Sequence, residues 1–199
     1  MPSVITYSMD EFVEFAKKMV AQKGITGEGL FDIGEKMKLL TERDDLYSIG
    51  VRHKDIDDKM PGTRLHVEPD GSFSLSLAKF SFEEPTRVHN HNSWGVAAIY
   101  KGIDRYTEWE RVDDGSKEGF AEMKAVKILM MGRGEATFWL DPPGDIHSQW
   151  GQDGHAAWEL VLMGRNIQGK DRLFFEPENK KVWQAPVTEL RSSDAGYRG

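Results

Sequence analysis

The octapeptide VHNHNSWG, residues 88–95, sets two of the chain's six histidines one residue apart, at His89 and His91. Successive side chains of a β-strand point to opposite faces, so positions i and i+2 share a face. On a strand the two imidazoles therefore converge on one point, as two ligands of a single metal ion. On a helix they would diverge by more than half a turn, and helical zinc sites use i and i+4 instead. Asn90 and Asn92 interleave the pair and asparagine favours turns, so the same residues also fit a solvated polar turn. A second stretch of interest is PPGDIHSQW, residues 142–150, where His147 follows a Pro-Pro-Gly turn and enters an apolar-alternating segment. Considered singly, His147 is a strand-end histidine satisfied by a backbone carbonyl.

Whether these histidines can meet depends on the elements that carry them. Ser8 and Glu11 have the spacing of a capping box, and Phe12, Phe15, Ala16, Met19 and Val20 follow at helical intervals. A second amphipathic segment runs from about Leu30 to Thr41, with Leu30, Ile33, Met37 and Leu40 on one face and Gly34 weakening it. From about Thr63 the period changes to two. PDG at 69–71 marks a turn, and FSLSLAKFSF at 73–82 alternates as a half-buried strand until Pro85. VAAIY (96–100), IDRYTEWERV (103–112), MKAVKILM (123–130), ATFWL (136–140), IHSQW (146–150) and AAWELVLM (156–163) continue the pattern between Gly-, Asp- and Pro-rich turns. Many short strands at near-regular spacing indicate a β-sandwich or barrel. His89 and His91 then fall between two strands of an all-β region.

The chain of 199 residues fits one domain, and 39% hydrophobic with 11% aromatic residues suffices for a core. A formal net charge of −7 without a long Lys/Arg run argues against a nucleic-acid partner. No apolar run reaches the roughly 20 residues of a membrane span, and MPSVITYSMDEF lacks the charged start and apolar run of a secretory signal. The absence of cysteine excludes disulfides, thiolate metal sites and a cysteine nucleophile, and fits a cytoplasmic protein. There is neither a phosphate-cradling loop nor a Gly-x-Ser-x-Gly elbow.

Taken together, the two histidine stretches resemble the cupin superfamily over roughly residues 70 to 165. The first cupin motif is His-x-His, a short gap, Glu, six residues and Gly; here it reads His89, His91, Gly95 in place of the Glu, and Gly102. The second contains Pro-x-Gly-x-x-His, matched by Pro142, Gly144 and His147, while Gly151 stands where an Asn often follows. The resemblance implies an all-β fold, a double-stranded β-helix (jelly-roll barrel) with N-terminal α-helices. Residues 1–62 would form a helical segment packing on the barrel, 63–186 the barrel, and 187–199 a polar tail. It further implies His89, His91 and His147 as metal ligands, with no carboxylate among them.

A three-His site lacking the Glu is similar to that of the cysteine dioxygenase branch, which joins non-haem Fe(II) to O₂ and oxygenates a small thiol. His-x-His-x-x-Trp-Gly, then Gly102 with Tyr106, then Asp-Ile-His look most like bacterial relatives of that branch. The implied cofactor is Fe(II), with Mn, Ni or Zn as other divalent ions that imidazole suits. Three neutral ligands leave the ionic charge uncompensated, so an anionic, chelating small molecule together with O₂ is the implied substrate set. The thiol itself fits poorly. Where thiol dioxygenases carry Ser-x-His-x-Tyr after the third histidine, this chain has Glu159, Val161 and Met163, and a cross-linked cysteine is excluded. A non-catalytic cupin that binds a small molecule and a metal-dependent cupin isomerase or lyase are the other readings, and a homodimer is compatible with any of them.

Other residues enter as candidates. Arg87 shares strand parity with His89 and His91 and could pair with a substrate anion, against the plain reading of a surface arginine. Tyr106 and Glu159 are further catalytic candidates. Trp94, Tyr106, Trp109 and Trp158 could line a pocket but read first as strand core. Asp145 and Glu83 neighbour the motifs without ligand spacing, His155 belongs to an exposed turn, and His53 and His66 carry no assigned role.

Overall fold

The computed structural model describes residues 7–49, 62–166 and 170–186. His53, residues 50–61 of the N-terminal segment and the tail 187–199 lie outside the described residues.

The capping box forms as its spacing requires. The Glu11 N–H donates to Ser8 Oγ at 3.1 Å, the Ser8 N–H donates back to Glu11 Oε2 at 2.9 Å, and helix α1 (Met9–Lys23) follows. Helix α2 (Gly27–Leu40) starts three residues earlier than the apolar spacing suggests, because Thr26 supplies its N-cap through a 3.2 Å bond from the Gly29 N–H. Leu30, Ile33, Met37 and Leu40 are all fully buried along one face. Gly34, the weak point of the helix by propensity, lies on that face, where a Cβ would stand 3.6 Å from Ala136 Cβ and Val96 Cγ1. A short helix α3 (Leu46–Ile49) follows.

The remainder is β-structure: β1 (Gly62–Val67), β2 (Ser74–Phe80), β3 (Val88–His89), β4 (Gly95–Lys101), β5 (Asp104–Arg111), β6 (Met123–Met131), β7 (Ala136–Trp139), β8 (His147–Ser148), β9 (Ala157–Met163), β10 (Asp171–Glu176) and β11 (Lys181–Pro186). They form two antiparallel sheets, ordered β1-β2-β9-β4-β7 and β11-β10-β3-β8-β5-β6. Apart from the sequential pairs β1-β2, β5-β6 and β10-β11, neighbours in each sheet come from distant parts of the chain, which is the jelly-roll pattern of chain crossing between two layers.

Strand alternation divides the first sheet into two apolar faces. Leu75, Leu77, Val96, Ala98, Leu160 and Leu162 pack with α1 and α2 into the largest core cluster. On the opposite face Ala97, Ile99, Trp139 and Met163 join Tyr106 and Met131 of the second sheet, so this cluster lies between the layers. The all-β fold class with N-terminal helices is therefore what the chain adopts.

Two features of the fold were not foreseen. Strands β10 and β11 extend the second sheet beyond β3, with Phe174 opposite His89. Strand β6, expected to be half-buried, is the edge of that sheet, and its Val126, Ile128 and Met130 are exposed.

Candidate metal centre

The second sheet brings the three histidines together. His89 ends β3, His147 opens β8, and the two are direct partners across that strand pair. His91 lies two residues beyond His89, past the end of the strand. One ring nitrogen from each of His89, His91 and His147 falls within 4.8 Å of the others, and all three side chains are buried. The i, i+2 spacing thus does converge two rings, with centroids 4.9 Å apart, and His147 completes the group at 4.8 and 4.6 Å from His89 and His91.

The outer nitrogens set the tautomers. His89 Nδ1–H donates to the Arg87 carbonyl oxygen at 2.8 Å, leaving Nε2 for the interior. His147 Nδ1 lies 2.7 Å from Tyr106 Oη; with Nδ1–H as donor, His147 also turns an unprotonated Nε2 inward. That Nε2 stands 2.8 Å from His91 Nε2. Burial, then the neighbouring charges of His147 and Arg172, pushes His89 well below the usual imidazole range. His91 is lowered in the same way, by burial and then Arg172, and His147 falls to about 3 through burial and Arg172. Three imidazoles held neutral with nitrogens crowded on one point are the donor set of a divalent transition ion, and the residues fit such an ion.

The Pro-Pro-Gly loop has a second task, which spacing did not disclose. Asp145 Oδ2 accepts the His91 N–H at 2.9 Å and the Asn92 N–H at 2.6 Å, and Asp141 Oδ1 accepts the Trp94 N–H at 2.9 Å. Two carboxylates from 141–145 thus clamp the turn that carries His91, whose Asn92 adopts φ +52°. Burial raises the pKa of Asp145, and the His91 and Asn92 N–H donors partly offset it. Asp145→Ala should weaken metal affinity about ten- to a hundredfold, as losses of ligand-orienting groups do. Competition against a chromophoric chelator measures it, and unchanged affinity would remove Asp145 from this role.

Position 95 is sterically closed to any side chain. A Cβ on Gly95 would lie 2.0 Å from Trp139 Cζ2, since Trp139 is its direct partner on β7. The Trp139 indole stacks on His91 at 5.2 Å and 27°, meets His147 edge-on at 4.9 Å, and donates Nε1–H to Ser93 O at 3.0 Å. An aromatic wall thus stands where a fourth ligand would be. Gly102, the motif's last glycine, is required by its φ of +83° and by the Ala156 carbonyl oxygen 2.6 Å from where a Cβ would sit.

The remaining candidates divide. Tyr106 is at the centre, fully buried, and is kept a phenol by burial and then by the surrounding carboxylates of Glu108, Glu159, Asp104 and Asp145. Arg87 contributes its carbonyl to His89, while its guanidinium lies over the Trp183 ring at 5.2 Å. Glu159 is buried and accepts from Gln149 Nε2 at 2.5 Å, with no hydrogen bond to the histidines. Trp94 packs in the helix-covered core, Trp109 donates to Ser148 Oγ, and Lys79 covers Trp158. His66 faces Glu68 at 3.1 Å, and His155 is exposed in its turn.

Sequence reading missed two cations. Arg172 on β10 is 97% shielded, with 3% relative exposure, and its charge acts on all three histidines. Arg165 acts on His91, and its buried Nε has no hydrogen-bond partner. A strand recognised at 171–176 would have placed Arg172 on the same face as Phe174, the residue opposite His89.

No family model and no curated protein matches this chain. Solved structures do match in part. Oxalate oxidase in complex with the substrate analogue glycolate is 18% identical over 48% of this chain and 43% of that one, with a TM-score of 0.37. The DMSP lyase DddQ from Ruegeria pomeroyi DSS-3 is 18% identical over 66% and 59%, TM-score 0.43. A cupin 2 conserved barrel domain protein from Rhodopseudomonas palustris is 14% identical over 51% and 58%, TM-score 0.38. The chain spans under half of the oxalate oxidase and under two thirds of the other two. Likeness at this level assigns no activity, and the fold class stands on the strand topology itself.

Proposed function

We propose that the chain is a metal-dependent oxygenase of the cupin type, in which His89, His91 and His147 hold one divalent iron and the substrate is a small chelating organic anion. The single observation that carries this reading is the charge balance of the site. Three buried imidazoles are neutral, and Gly95, closed off by Trp139, leaves no side chain at 95 to add a carboxylate to them. A dication held by neutral ligands alone keeps its full charge toward the remaining positions, which favours an anionic co-ligand there. Affinity for the three-His, cysteine dioxygenase-like branch is part of the same proposal.

Bound Fe(II) would supply the electrons that allow O₂ to react with a closed-shell organic molecule. The protein's own part is to hold, orient and exclude water. Ala97, Ile99, Met131, Trp139 and Met163 make the apolar surround that keeps water out. The positive potential of Arg172 and Arg165 at His91 favours an anionic end of the substrate there. Tyr106 accepts from His147 Nδ1–H and keeps its own O–H to donate to an oxygen placed beside the histidines.

Two measurements test the reading. Apoprotein loaded with Fe(II) under nitrogen and then given O₂ should consume it in proportion to an oxygen-chelating anion such as an enolised diketone. Binding of that anion without O₂ uptake would replace the oxygenase with a non-catalytic small-molecule protein. Arg172→Met should raise KM for the anion about a hundredfold while metal content stays unchanged, in keeping with loss of a buried charge-assisted contact. An unaltered KM would take Arg172 out of substrate binding.

A further inference from the structure

Behind the histidines lies a second buried group that the proposed chemistry does not use. Asp104 and Tyr106 alternate on β5, so both face the interior, and Glu159 enters the same interior from β9. Asp104 and Glu159 are each completely inaccessible to solvent, and their carboxyls lie within hydrogen-bonding reach of each other. The other oxygen of each carboxyl is spoken for. The Trp150 N–H donates to Asp104 Oδ1 at 2.9 Å, and Gln149 Nε2 donates to Glu159 Oε2 at 2.5 Å. That leaves Asp104 Oδ2 and Glu159 Oε1, both buried and both without a donor among the described residues. Two ionised carboxylates would point acceptors at one another in an apolar interior, at the cost of both desolvation and repulsion. A proton on Glu159 Oε1 donated to Asp104 Oδ2 satisfies both atoms.

The groups around the pair offer no other relief. Opposite Glu159 stand Ala78 on β2 and Ile99 on β4, and opposite Asp104 stands Met131 on β6. From the 147–150 segment come neutral His147, the Gln149 amide and the Trp150 N–H, and from β5 the phenol of Tyr106. Arg172 acts on the histidines and not among the groups that set either carboxyl.

We infer that Asp104 and Glu159 are a carboxylic acid–carboxylate pair that retains one shared proton at neutral pH and thereby ties β5 and β9 to the 149–150 turn behind His147. They are positioning residues: β5 carries Tyr106, which holds His147 Nδ1, and the turn continues directly from His147. The shared proton itself does not depend on the metal reading. Burial first, and then the neighbouring carboxyl, raises Glu159 far above the usual carboxylate range, while burial moves Asp104 to about 6.

The sign follows from proton linkage. Unfolded carboxyls ionise near pH 4, whereas the folded pair keeps a proton above that. The folded state therefore binds more protons, and the stability the pair contributes is present below about pH 4 and is lost as pH rises through its folded values. Thermal unfolding of the native chain from about pH 5 to about pH 8 should accordingly show a falling component that Glu159→Gln lacks, with the slope roughly halved or less. The glutamine keeps the shape and donates an N–H to Asp104 without titrating. Equal slopes in the two proteins would overturn the proposal. Should the variant fail to fold, infrared spectra of the native chain at neutral pH decide. A buried protonated-carboxyl carbonyl band supports the shared proton, and its absence refutes it.

Discussion

The His147→Ala protein should lose divalent metal, with affinity down by about a hundredfold or more, while the native chain holds about one ion per molecule. His147 has the largest share in the cluster. It is the strand partner of His89, its Nε2 is 2.8 Å from that of His91, and its Nδ1 is tied to Tyr106. Alanine removes a donor and leaves two imidazoles facing a gap that Trp139 already borders. His155, exposed in the turn after Asp153 and Gly154, is the control, and its replacement should leave metal content unchanged. Elemental analysis after exhaustive dialysis, with titration of Fe(II), Mn(II), Ni(II) and Zn(II) into apoprotein, provides the measurement. Full occupancy in the His147 variant would show that the three histidines do not hold the ion.

The second large effect concerns substrate choice. Cysteine, cysteamine and 3-mercaptopropionate should be oxygenated at least about a hundredfold more slowly than an oxygen-chelating anion, because donors aimed at developing charge are worth about that factor each. Glu159, Val161 and Met163 occupy one face of β9, and Val161 and Met163 pack into the apolar cluster with Trp139 and Met131. Pairing of β9 with β2 and β4 keeps this face inward without a register slip between Glu159 and Met163. Glu159 is engaged by Gln149 and Asp104, so Tyr106 from β5 is the hydroxyl left beside the cluster. Side by side oxygen-uptake traces on Fe(II)-loaded protein compare the two classes. Rapid uptake with stoichiometric sulfinate from any of the three thiols would reverse the expected preference and leave the ligand set untouched.

How much of this could be read beforehand follows the range of each interaction. The capping box at Ser8 and Glu11 is local, three residues in span, and was legible. So was the helix face of Leu30, Ile33, Met37 and Leu40, a short periodic pattern, whereas the two-residue strand Val88–His89 falls where the sequence places the pair only between strands. His147 was legible because two spaced motifs constrain one another. What escaped notice depends on distant partners. DRLFFE has Phe174 and Phe175 adjacent and both buried, so β10 lacks the alternation that marks a strand with one wet face. With β10 unseen, nothing in the sequence brings Arg172 to the histidines. In IDRYTEWERV the inward parity begins with Asp104, and a charged residue on that parity argues against burial until its partner Glu159, 55 positions later, is placed beside it. The clamp of Asp145 on the His91 turn is likewise a contact across 54 positions.

The approach of Trp139 to Gly95 constrains how this protein could have changed over time. Placing a carboxylate at 95 beside the histidines takes more than one substitution, because any side chain there collides with the indole. Removing the indole first strips the stacking partner from His91 and the donor from the Ser93 carbonyl. Each single step is therefore disfavoured, and only the joint exchange of both residues crosses the gap. The absence of a carboxylate beside the three histidines is in this sense kept by shape rather than by the chemistry of the histidines themselves.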